Sequence, residues 1–144
     1  MQTFLPYSDF KKTSEVLDYK RLGKQRVEAS QILDILMGTK NSWINHPAVK
    51  MWLGYDEMLK LYFNNIVIEW VKRGYKNNYN LFKMDENKLI SPWWLGNENF
   101  HRAMRSRLIE KYPEFYLPKF PEDNGFNNGK YLWPVNETKT FRMI

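Results

Sequence analysis

Apolar and polar positions follow a helical rhythm over much of this chain. Between Asp18 and Met37, Leu22, Ala29, Leu33 and Leu36 recur at three- and four-residue steps, with Ile32 beside them. Arg21, Lys24, Gln25, Glu28 and Gln31 recur at the same steps on the opposite side. The pattern predicts an amphipathic helix, capped by Asp18 and ended by Gly38 just past its last turn. Gly23 costs that helix about 1 kcal/mol against Ala, so it marks either close packing of another element or close approach of a ligand backbone. Upstream, Phe4 and Leu5 read as anchors, and Ser8 or Asp9 caps a short helix to Leu17. Downstream, Pro47 sits at the first position of a helix. Val49, Trp52, Leu53, Leu59, Tyr62, Phe63, Ile66, Val67, Trp70 and Val71 keep its period to Gly74, with a break near Gly54. Asn97 caps a last helix to about Tyr112, with Phe100, Met104 and Leu108 as its stripe and Pro113 closing it.

The segments between are loops. Residues 75–91 form a long polar connection, of a kind that is often functional or mobile. In the run PWWLG, Trp93 and Trp94 cannot both face one way, so one belongs to the core and the other to a surface or cleft. From about residue 117 to 144 the chain is rich in Pro, Gly and aromatics and is expected to wrap the body irregularly, with a partly disordered end. The expected fold is all-α: one domain over residues 1–144, with three to four main helices and long aromatic-rich loops.

Composition narrows the function. Nine Phe, nine Tyr and six Trp supply more aromatic surface than packing alone explains, leaving some for stacking. A net charge of +6 favours an anionic partner, nucleic acid ahead of a membrane surface. With no Cys, disulfides, thiolate metal sites and a Cys nucleophile are excluded. No glycine-rich phosphate loop, HExxH or GxSxG occurs, and nothing calls for a metal or cofactor. The start MQTFLPYSDF has no signal-peptide pattern and no apolar run reaches the roughly 20 residues of a membrane span, so a cytoplasmic location is expected.

Three groups of residues remain as candidates. Lys24 and Glu28 are neighbours on one helix face with Arg21 near, which suits a charged site or an ordinary solvated face. Asn45 and His46 precede Pro47; they suit local capping, or contact with a phosphate or base, with His46 also a proton carrier. His101, Arg102 and Arg105 suit a solvated face or the phosphate-binding side of a cleft.

The stretches MQTFLPY, LDYKRLGKQRVEASQIL, NHPAVKMW and PWWLGNENFHRAMRSRLIEKYPEFY resemble small bacterial and phage proteins related to pyrimidine-dimer DNA glycosylases of the endonuclease V type. The likeness runs from Met1 to about Tyr116. RLGKQRVE resembles the segment that carries the family's catalytic glutamate, which implies that role for Glu28. Lys24 and Arg26 fall near positions where the family holds DNA phosphates. The resemblance implies cleavage of an N-glycosidic bond in duplex DNA, with a base extruded from the stack and a carboxylate offsetting positive charge on the sugar. It also implies a nucleophile at the chain start: the N-terminal amine attacks the sugar, and the resulting imine supports strand cleavage. α-Amino groups titrate near about 7.7–8, so a fraction is neutral at pH 7.

One position departs from the pattern. The family exposes the amine of a small residue after Met removal, whereas residue 2 here is Gln, a poor context for that removal. The amine then belongs to Met1; were Met1 lost, Gln2 could cyclise. Two routes stay open, an amine-using glycosylase with lyase activity and a water-using glycosylase with Glu28 as base. The alternatives in other classes are a non-catalytic DNA-binding protein, such as a phage or defence factor, and an enzyme of free nucleosides. A monomer is the expected state, with a dimer left open by the exposed aromatics.

Overall fold

A computed structural model describes residues 1–40 and 43–143. Its elements in chain order are α1 (Phe10–Val16), α2 (Tyr19–Leu36), α3 (Pro47–Lys50), α4 (Asp56–Lys72), α5 (Glu98–Lys111), α6 (Pro113–Tyr116), β1 (Leu132–Val135) and β2 (Thr140–Met143), with three short 3-10 turns. The all-α expectation holds, with α1, α2, α4 and α5 as the main helices and, among the described residues, a single small two-stranded sheet. Among the described residues no helix is long and apolar enough to cross a membrane.

Local chemistry accounts for the helix boundaries. Asp9, Asp18 and Asn97 each accept a backbone N–H of the turn they open, at Lys12, Lys20 and Phe100. His46 does the same for α3: its Nδ1 accepts the Ala48 N–H at 3.0 Å. The break expected near Gly54 is present, where that residue turns the chain at φ +86° between α3 and α4.

α2 packs along α4, and α1 lies against the same helix. The seam buries Leu22, Ala29, Ile32 and Leu33 of α2 against Leu59, Tyr62, Phe63, Ile66 and Val67 of α4. Gly23 is a packing residue: a Cβ there would meet the Trp70 ring at 3.0 Å. Of the adjacent tryptophans, Trp94 is the core residue and Trp93 the half-buried one.

The end of the chain corrects the expectation of an irregular, partly disordered tail. Leu132 to Val135 pairs antiparallel with Thr140 to Met143. Trp93 and Phe100 both pack on Phe141 of β2, an apolar contact that offsets the polar turn. Gly129, at φ +72°, brings this segment onto α5 where any side chain would strike Glu110.

At the chain start Phe4 and Leu5 are the anchors expected of them, both buried in the core. Gln2 to Pro6 are buried and belong to no helix or strand. Side chains satisfy their backbone groups instead. Gln25 accepts the Phe4 N–H at 2.9 Å and donates to the Gln2 carbonyl at 3.0 Å. Tyr62 donates to the Phe4 carbonyl, His101 to the Leu5 carbonyl and Arg105 to the Pro6 carbonyl, all at 2.7–2.8 Å. Trp52 donates to the Thr3 hydroxyl at 3.0 Å.

Candidate active site

The N-terminal segment ends beside the polar face of α2. There the Gln2 N–H and the Gln25 side-chain amide both donate to Glu28 Oε2, each at 3.2 Å. Gln25, which the periodicity assigns to the polar face, is fully buried. It ties the carboxylate, the N-terminal segment and Tyr62 of α4 into one network. Lys24, the expected neighbour of Glu28, does not pair with it: among the described residues Glu28 makes no ion pair.

Glu28 and Met1 border a hollow of about 360 Å³. Lys20, Arg21 and Lys24 of α2 form one of its sides, and Arg107 and Lys111 of α5, with Tyr131, form another. Burial lowers the Lys111 pKa, and repulsion from Arg107, Arg21 and Lys24 lowers it further, against the pull of Glu28. Such crowding of like charge is relieved by an anion. Burial pushes the Tyr131 hydroxyl up to about 12, so it stays neutral; Arg107, 5.6 Å from the ring centroid, works against that rise.

The hollow continues both ways. Toward α6 it shares Lys20, Arg21 and Lys111 with a cavity of about 510 Å³ that Tyr112 and Phe115 also line. Toward α3 it shares Met1 and Glu28 with a smaller one of about 220 Å³, closed by Gln31 and Trp43. His46 stands near this end. Its pKa is lowered by burial and by the positive chain terminus, while Glu28 raises it.

The predicted site residues divide accordingly. Met1, Gln2, Arg21, Lys24 and Glu28 come together, with His46 close by. Arg26 points elsewhere: it stacks on Trp70 at 4.3 Å and donates to Asn77. Asn45 lies in a separate hollow with Lys50 and Trp133. In the α5 group His101 is corrected: it is 3% exposed, so it is not on a solvated face, and it does not border the hollow. Its Nε2 accepts the Gly96 N–H, and its Nδ1 serves the Leu5 carbonyl. Arg105 binds Asp123 and Glu98, and Arg102 binds Asp123 as well. These side chains hold the N-terminal segment and the chain after α6 in place.

Sequence reasoning missed Gln25, Lys20, Lys111 and Tyr131, and took Arg107 only as the end of the basic run HRAMRSR. The i,i+4 spacing of Arg107 and Lys111 was a usable signal, since it aligns two cations on one face of α5. Among the described residues no three His, Cys, Asp or Glu side chains gather as metal ligands do.

Comparison with known proteins yields no match among curated proteins and none among solved structures. A family model described as pyrimidine dimer DNA glycosylase matches residues 1–83. The matched part carries Met1, the α2 cations, Gln25 and Glu28; the α5 cations and Tyr131 lie beyond it. By that match, which spans more than half its length, the chain belongs to the pyrimidine dimer DNA glycosylase family.

Proposed function

We propose that this protein is a DNA N-glycosylase that removes a damaged or modified pyrimidine from duplex DNA, with Glu28 as its catalytic carboxylate. The observation that carries the reading is the pairing of Glu28 with the chain start inside a ring of cations. Five basic side chains around one carboxylate suit a substrate with phosphates on either side of a sugar that becomes positive.

Breaking the glycosidic bond leaves its electron pair on the departing base and positive charge on the sugar. The Glu28 carboxylate lowers the energy of that charge most when it is held rigidly beforehand, and the donors at Oε2 hold it. The new bond at the sugar carbon comes from one of two nucleophiles. A water can give its proton to Glu28 and add as hydroxide. Alternatively, the neutral Met1 amine can add, lose a proton and open the ring to an imine, which acidifies the next C–H and lets the 3′ phosphate leave. The nitrogen of residue 2 lies 3.2 Å from Glu28 Oε2, so the start of the chain is in reach of the same carboxylate. Duplex DNA is the partner in both routes.

The test uses a duplex with one cyclobutane thymine dimer. The native protein should release base, and Glu28→Gln should lower that rate about a hundredfold or more while binding stays within threefold. Borohydride treatment with an abasic duplex separates the routes, because an adduct at Met1 or Gln2 marks the amine. Duplex binding with no base release from any damaged substrate would favour the non-catalytic reading instead.

A further inference from the structure

The Glu28 hollow is lined by cations and by Tyr131, and a row of aromatic rings runs from Tyr131 to Trp43, which lines the adjoining cavity at Met1 and Glu28. Trp43 packs edge-on to His46 at 5.8 Å, His46 edge-on to Trp133 at 6.1 Å, and Trp133 edge-on to Tyr131 at 5.4 Å. In this row Trp43 stands out. It is 65% exposed, yet it closes the cavity that Met1, Glu28 and Gln31 line. Its backbone is left-handed, at φ +67°, a strained conformation for so bulky a residue. The structure thus holds a large ring at the mouth of the site in a costly conformation, with little burial in return.

A nucleotide has matching asymmetry, with anionic phosphates at one end of the sugar and a flat base at the other. We propose that Trp43 is the base-stacking residue of this site. It takes the face of an extruded nucleobase whose sugar lies over Glu28 and whose phosphates lie against Lys24, Arg107 and Lys111. This rests on the glycosylase reading and adds to it the residue that senses whether a base is present.

The experiment compares two duplexes of one sequence, carrying a thymine dimer or a tetrahydrofuran abasic analogue at the same position. Binding is measured with Trp43→Ala and Trp43→Phe, both in the Glu28→Gln background so that the substrate is not consumed. Trp43→Ala should weaken binding to the dimer duplex about tenfold or more, as loss of one stacking face does. It should leave the abasic duplex within twofold, and Trp43→Phe should restore most of the difference. Equal losses on both duplexes would overturn the proposal, showing that Trp43 only shapes its loop, and so would no loss on either. A native protein that releases no base while the selective loss persists would sink the glycosylase reading alone.

Discussion

Protonating His101 would destroy the bond that its Nε2 accepts from the Gly96 N–H, and burial opposes the added charge. Its pKa is therefore lowered, chiefly by burial and also by Arg105, with the Leu5 carbonyl and Glu98 opposing. The unfolded chain takes up this proton near 6.5, while the folded chain takes it up only at lower pH. Stability is thus complete above pH 6.5 and falls as the pH drops toward the folded value. His46 shifts the same way and adds to the loss. Denaturant titrations should show stability declining below pH 6.5, and the His101 ring proton in NMR should titrate below 6.5; a midpoint at or above that value contradicts the account. Gly23 gives a second prediction at this scale. Ala there gains helix propensity of about 1 kcal/mol but pushes on Trp70. That ring is fixed by Tyr19, Tyr75 and Arg26 and by its bond to the Lys76 carbonyl. Overpacking costs typically about 1–3 kcal/mol, so Gly23→Ala should lower the melting temperature.

The decisive element is the N-terminal segment, which has no regular structure of its own. Its geometry is set by α2, α4 and α5 through Gln25, Tyr62, His101 and Arg105. Asp123 is buried and shared between Arg102 and Arg105. Arg105→Ala, which also leaves the Pro6 carbonyl without its donor, should destabilise the fold by about 1–3 kcal/mol and leave the salt dependence of DNA binding unchanged; a flatter salt slope at preserved stability would restore the phosphate role. The helices themselves were legible, because caps and apolar spacing are local properties. Asp9, Asp18, Pro47 and Asn97 all mark real starts. The roles of Gln25 and Arg105 were not legible: a polar residue on a helix reads as solvated until the segment that covers it is known. The terminal hairpin escaped for a similar reason, since Phe141 forms its contacts with Trp93 and Phe100 from far along the chain.

Across the whole molecule the net charge of +6 is unevenly used. Arg102 and Arg105 are neutralised internally, whereas Lys20, Lys24 and Lys111 have no carboxylate partner among the described residues. Lys24→Ala and Lys111→Ala should each weaken binding to any duplex and reduce the salt slope by about 1. An unchanged slope in either variant would move the DNA path off this face. The α2 half of that face was foreseen from Arg21, Lys24 and Glu28; the α5 half needed the fold to bring it alongside.

Tyr131 and Met1 line the same hollow, so its walls come from residues far apart along the chain. A ribosome must therefore extrude the chain past Tyr131 before the cavity can close. Nascent or prematurely terminated products would carry Glu28 but lack the facing wall. Long-range assembly of this sort slows folding. In return, the hollow around Glu28 takes shape only once both of its walls have been made.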